Sequence, residues 1–272
     1  MSIHPSAVVD PRAQIDPSCE IGPLCIIGPH VQIGARTRLI GQVVVQNRTQ
    51  LGCDNVVHPF ACLGGAPQDL KYQGEPARLC IGDRNVIRES TTLNIGTANG
   101  NMQTRIGNDN LLMAYCHIAH DCEVHDRIVV ANGVALAGHV QLFDDSIVGG
   151  LAAVHQFCRI GRLSFVGGGA MVAQDVPPFC IAQGDRAAVA GLNVVGLRRA
   201  GWPKADIQAL HAALRQIYSP DRPRTQAVQD VLQFASQPPT AELCEFIIQA
   251  PRGVCGARHR LGDSPRDGAP DG

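Results

Sequence analysis

The sequence predicts an all-β solenoid, a parallel β-helix of hexapeptide repeats, with a C-terminal α-helical domain. Three observations predict it. An aliphatic residue recurs at every sixth position, two interruptions of that period are too long to be corners, and the spacing becomes helical after Pro203.

The ladder runs Ile3, Val9, Ile15, Ile21, Ile27, Ile33, Leu39, Val45, Leu51, Val57 and Leu63 without a miss. It resumes in phase at Ile81, Ile87 and Leu93. It then restarts one residue later at Ile106, Leu112, Ile118, Val124, Val130, Leu136, Leu142, Val148, Val154, Ile160, Val166 and Val172. A period of six fits neither a 3.6-residue helix nor an isolated two-sided strand, and it matches the hexapeptide class of β-helix. One apolar side chain per short strand then faces inward while small residues turn the corners. With three hexapeptides per coil, residues eighteen apart stack at ~4.8 Å. The period does not set the hand of the coil, and the general crossover rule favours the right hand.

The interruptions are residues 64–80 and 94–105, and long loops inside a compact solenoid are commonly functional. The first, GGAPQDLKYQGEPAR, mixes turn signals with polar residues able to reach a ligand. The second, rich in GTANGN, reads as flexible. The β-helix is expected over 1–186. After it come Ile207, Leu210, Leu214 and Ile217, then Val228, Val231 and Leu232, then Leu243, Phe246 and Ile247 with Thr240 as N-cap. These predict a helical domain over 187–255. The remaining 256–272, ending HRLGDSPRDGAPDG, has the composition of a disordered tail.

A net charge of −1 and no dense Lys/Arg cluster give no footprint for nucleic acid. No apolar run approaches the ~18 residues of a membrane span, and the amino terminus MSIHPSAVVD lacks an export signal. A cytoplasmic protein without stable membrane insertion is expected. The eleven cysteines are scattered singly with no C-x-x-C pair, which suits small buried hydrophobes in a reducing compartment.

Four histidines, His117, His120, His139 and His155, fall within three coils. Counting in steps of eighteen from His120 gives Gly138 and then Gln156, one vertical column flanked by His139 and His155. A histidine near neutral pKa suits general-base work, and Asp121 beside it can fix its tautomer. Gly138, with no side chain, leaves its N–H available for a developing oxyanion. A metal site would need His120 and His125 as ligands, but His125 adjoins Asp126 and Arg127 at a corner and no confident third ligand completes the set. No metal and no cofactor are expected.

The segments QDLKYQGEPARLCIGDRNVIRES, DNLLMAYCHIAHDCEVHDR, LAGHVQL, AVHQFCRIG and AQDVPPFCIAQGD, in this order, resemble the acyl-carrier-protein UDP-N-acetylglucosamine O-acyltransferases that begin lipid A synthesis. The resemblance covers residues 1 to about 220 and implies a left-handed coil. It implies that His120 takes the proton from the sugar 3-hydroxyl as that oxygen attacks the thioester, with Asp121 supporting it and Gly138 supplying the oxyanion N–H. Gln68, Asp69 and Lys71 then contact substrate, and His117, His139, His155 and Gln156 line the sugar and acyl region. Asn193 and Arg199 match positions that hold the nucleotide, although Val195, Ala200 and Asp185 depart from the residues common beside them. The residue matching Gly168 acts in the family as a ruler of acyl length. The implied partners are acyl carrier protein, UDP-N-acetylglucosamine and two further copies in a homotrimer, with Arg159 and Arg162 placed to meet the acidic carrier.

Three other readings are weaker. A related N-acyltransferase generally carries an extra amino-terminal domain, whereas this ladder starts at Ile3. QDLKY and AVHQFC are not signatures of CoA-dependent acetyltransferases, and a silent scaffold would not need an intact His120 and Gly138.

Overall fold

In the computed structural model, which describes residues 2–235 and 237–258, each of the twenty-six ladder residues lies on its own short strand. Most strands are two residues long, with the first side chain facing out and the ladder residue facing in. Such short strands persist because each coil satisfies its backbone on the next. His117 N–H donates to the Val134 carbonyl at 2.9 Å, and Ala119 N–H to Leu136 at 3.0 Å.

The strands stack into three faces of 11, 9 and 8 strands, here called first, second and third in the order the chain visits them. Ile118 pairs with Leu136, and Leu136 with Val154, in the expected step of eighteen. Across the insertions Leu63 still meets Leu93 and Leu93 meets Ile118, so inward residues stay in register with inward residues. A one-residue slip would turn the ladder toward solvent.

A second inward column lies two residues before the ladder and is filled by small side chains, including Cys19, Cys25, Cys116, Cys122 and Cys158. The Cys116 and Cys122 thiols donate to the carbonyls of Ala131 and Ala137, each at 3.1 Å. Burial pushes Cys116 up to about 11 and Cys122 up to about 12, and all eleven thiols are free.

Both insertions leave from the corner between the second and third faces. Their expected limits shrink to 66–77 and 95–102, because Cys62–Gly65, Arg78–Ile81, Thr92–Asn94 and Gln103–Ile106 extend as strands.

The expected start of the helical domain at residue 187 is corrected. Cys180–Gln183 joins the first face, and Ala188–Leu192 turns back antiparallel against it, so sheet continues to Leu192 although the six-residue period has lapsed. Four helices follow, α1 (Val194–Arg199), α2 (Lys204–Ile217), α3 (Arg224–Gln233) and α4 (Pro238–Ile248). In α2 the predicted stripe Ile207, Leu210, Leu214 and Ile217 is buried. Thr240 is not a cap, because α4 starts with Pro238 and Pro239, whose missing N–H groups cost nothing in a first turn. The expected tail is corrected at its beginning. Gly256 accepts from Val189 N–H at 2.7 Å and Arg258 N–H donates back to Val189 at 2.9 Å, while 259–272 lie outside the described residues.

Arg159 and Arg162, expected to meet an acidic carrier, are engaged within the chain. Arg159 pairs with buried Asp175 at 2.7 Å, donates to the Phe246 carbonyl at 2.9 Å and lies over the Phe246 ring. Arg162 forms a bidentate pair with Glu242 at 3.0 and 2.7 Å. Both arginines anchor α4 to the β-helix. Among the described residues no helix is long and apolar enough to cross a membrane.

Candidate active site

His120 and Asp121 occupy the corner between the second and third faces, one coil beyond the second insertion. Asp121 takes a left-handed backbone (φ 58°), as do His139 (φ 62°) and Phe157 (φ 65°) on the next two coils. Non-glycine residues pay ~1 kcal/mol or more for this conformation, and here it aligns three side chains along one edge.

His120 Nδ1 lies 2.8 Å from Asp121 Oδ2. An ionised carboxylate only accepts, so Nδ1 carries the proton and Nε2 is left as an acceptor. The Asp121 carboxylate is fully buried. It accepts from the Thr97 hydroxyl at 2.6 Å, Thr97 N–H at 3.1 Å and Asn101 N–H at 3.0 Å. Burial alone would raise its pKa, but the Thr97 hydroxyl, the His120 ring and Thr97 N–H together bring it below the ordinary value. The second insertion, expected to be flexible, therefore wraps this carboxylate. A β-carbon at Gly100 would collide with it.

Gly138 sits beside the His120 ring, where a β-carbon would come within 2.7 Å of Nε2. Its carbonyl accepts from Phe157 N–H at 3.1 Å, and among the described residues its own N–H makes no hydrogen bond. His139 presents its ring edge-on to His120 at 5.2 Å and stacks on Phe157 at 4.4 Å. Burial lowers the His139 pKa; Asp121 opposes that shift and His120 reinforces it. His117 is likewise lowered, by burial first and then by His120, and its Nδ1 shares a hydrogen bond with Thr92 Oγ1 at 2.8 Å.

The other expected residues spread outward from this centre. Gln68 and Lys71 are exposed on the first insertion, while half-buried Asp69 accepts from Lys71 N–H at 3.0 Å and acts electrostatically on His139. His155 and Gln156 are exposed further along the same edge. Gly168 lies at the corner between the first and second faces, a different edge of the prism. Asn193 is spent within the fold, capping α1 by accepting from Gly196 N–H at 3.0 Å and donating to the Leu163 carbonyl at 2.9 Å. Arg199 is exposed in the last turn of α1.

His120, Asp121 and His139 each bring one ligand atom within 4.8 Å of the others. That is the donor count of a three-ligand metal site, but Asp121 already accepts four hydrogen bonds from the protein. His125, the other sequence candidate, is exposed and belongs to a different cluster with Asp144.

Sequence reasoning missed Thr97, Gly100, Asn101 and Phe157. Phe157 was reachable, since it follows His139 by eighteen. The loop residues were not, because an insertion has no period to place it.

Family models match residues 1–35 and 103–138 as bacterial transferase hexapeptide repeats, and residues 175–255 as the second domain of UDP N-acetylglucosamine O-acyltransferase. An acyl-[acyl-carrier-protein]–UDP-N-acetylglucosamine O-acyltransferase from Janthinobacterium sp. (strain Marseille) is 47% identical over 257 residues, 93% of this chain and 98% of that relative. The chain belongs to this O-acyltransferase family. The UDP-N-acetylglucosamine O-acyltransferase (LpxA) of Moraxella catarrhalis RH4 matches with a TM-score of 0.90 at 44% identity, covering 94% of this chain and 100% of that one. LpxA from Acinetobacter baumannii matches at 0.90 and 43%, covering 93% and 99%. The chain is therefore an acyltransferase built on the family's left-handed hexapeptide β-helix. In this O-acyltransferase the corner holding His120 gathers His120, Asp121 and His139 within 4.8 Å, with the second insertion on Asp121 and the first insertion joined to it through Glu75.

Proposed function

We propose that the protein transfers an (R)-3-hydroxyacyl group from acyl carrier protein to the 3-hydroxyl of UDP-N-acetylglucosamine, the first step of lipid A biosynthesis, with His120 as general base. The observation that carries this reading is the acceptor Nε2 of His120, oriented by Asp121 and lying against Gly138. The sugar hydroxyl gives its proton to Nε2 as its oxygen bonds to the thioester carbonyl carbon. The carbonyl oxygen becomes an oxyanion, for which the unengaged Gly138 N–H is a suitable donor. Collapse restores the carbonyl and breaks the carbon–sulfur bond, and the imidazolium returns its proton to the departing thiolate. The thioester drives the transfer, so neither cofactor nor metal is required.

Gln68, Asp69 and Lys71 contact the sugar nucleotide from the first insertion, while His117, His139, His155 and Gln156 line the groove. Arg199 offers its guanidinium to the diphosphate, and Asn193 acts at one remove by fixing the start of α1. A homotrimer is supported by the corner between the first and second faces, where Leu24, Phe60, Tyr115 and Leu151 are all more than half exposed. Such an apolar edge marks an interaction surface. Eleven free thiols suit a cytoplasmic protein.

The test is transfer by His120→Ala with the carrier-bound hydroxyacyl donor. Loss of ~100-fold or more in kcat is expected, and retention of a tenth of the wild-type rate removes His120 from this role. Chelators should leave the rate unchanged.

A further inference from the structure

The second insertion, residues 95–102, reads IGTANGNM and carries no charged side chain. It nevertheless supplies three of the four hydrogen bonds on Asp121. The fourth comes from His120, and it shares Oδ2 with the Thr97 hydroxyl, at 2.8 and 2.6 Å respectively. Thr97 is itself buried, and the Thr104 hydroxyl accepts from Asp121 N–H at 2.8 Å, so the backbone of Asp121 is held as well as its carboxylate. The loop does not stand alone. Glu75 of the first insertion accepts from Ala98 N–H at 3.0 Å and from Gln73 N–H at 2.8 Å, joining the substrate-side loop to the loop around Asp121.

We propose that Thr97 is a positioning residue for the reaction: its hydroxyl orients Asp121 so that Oδ2 meets His120 Nδ1 and Nε2 points to substrate. This rests on the reading of His120 as the base. Oδ1 is held by the Thr97 and Asn101 N–H groups, whereas Oδ2 meets only the Thr97 hydroxyl and the His120 ring among the described residues, so the hydroxyl sets where Oδ2 stands against Nδ1 and thereby the aim of Nε2. The other titratable groups acting on His120 are His117 on its own coil and His139 on the next, while Asp69 of the first insertion acts on His139 and Glu75 lies within electrostatic reach of Asp121. None of them contacts the Thr97 hydroxyl among the described residues.

The experiment compares Thr97→Val, Thr97→Ser and His120→Ala in the full-length protein, with kcat and KM measured across pH and the His120 ring nitrogens followed by NMR. In Thr97→Val, kcat falls roughly tenfold or more, the scale of a hydrogen bond to a charged group. The KM for the sugar nucleotide stays near wild type and the Nδ1-protonated tautomer is no longer dominant. Thr97→Ser restores both kcat and the tautomer. A Thr97→Val enzyme with unchanged kcat or an intact tautomer overturns the proposal, as does a serine variant impaired like valine. If the valine variant does not fold, Thr97→Ala serves, since it leaves a gap and not a methyl against the carboxylate. If His120→Ala keeps its rate the base assignment itself has failed, and the tautomer measurement still reports separately on Thr97.

Discussion

The His120 ring fills the space that a side chain at Gly138 would need, with Nε2 2.7 Å and Cε1 2.6 Å from where a β-carbon would stand. Gly138 has no positive φ to justify glycine, so the ring is the reason for it. Gly138→Ala should therefore keep the β-helix, displace the imidazole and lower kcat by ~100-fold or more, the contribution of a general base. Steady-state kinetics beside circular dichroism checks this, and a folded alanine variant with wild-type kcat would mean that the ring works from another position.

Stability should fall on mild acidification because of two histidines. Burial is the leading cause holding His117 and His139 below the ordinary value of 6.5. Above 6.5 they are neutral both folded and unfolded and contribute no pH dependence. As pH drops below 6.5 the unfolded chain takes up protons before the folded one does, so the fold loses stability until the folded groups titrate in turn. The melting temperature should decline between about pH 7 and pH 5, with a shallower slope in a His117→Gln, His139→Gln double variant. Equal slopes in the two proteins would place the proton uptake elsewhere.

Step-of-eighteen arithmetic was enough to place the ladder, the three faces and the column His120, Gly138, Gln156, because a solenoid converts sequence separation into position. It fails where the chain leaves the coil. Thr97 and Asn101 could not be placed on Asp121, since an insertion has no register, and glycine-rich composition suggested mobility where the backbone N–H groups are in fact directed at a buried charge. Arg159 and Arg162 were misplaced for a related reason. Their partners, Asp175 and Glu242, lie 16 and 80 residues away on elements outside the hexapeptide period. Gly138 was read for its N–H, whereas its contact with the His120 ring depends on a rotamer that no periodicity supplies.

The apolar corner gives a test of assembly. Leu151 is 72% exposed, and Leu151→Glu would set a charge on that edge without disturbing the inward ladder. If the proposed trimer packs on this edge, the expected result is its dissociation in sedimentation analysis with a large loss of transfer, although His120 lies on a different edge. A monomer that keeps full activity would show that one chain holds the whole site.

Acyl-chain length should be read at Gly168, which follows Asn132 and Gly150 along that same corner. The neighbouring glycines have structural reasons to be glycine. A β-carbon at Gly149 would meet the Gly168 nitrogen at 2.6 Å, and Gly169 has a φ of +66°. At Gly168 the nearest atom would be the Gly150 carbonyl oxygen at 3.3 Å, and φ is not positive, so packing asks only for a small adjustment there. Two successive coils thus leave a lane without side chains. Each methylene accommodated in it adds ~0.8 kcal/mol, about fourfold in relative specificity. Gly168→Met should close the far end, shifting preference toward donors several carbons shorter while the best short donor keeps its activity. The measurement is the ratio of kcat/KM for long and short hydroxyacyl carrier proteins. If that ratio is unchanged in a folded variant, the end of the acyl chain is gauged by some other residue, and the open lane serves only the turn.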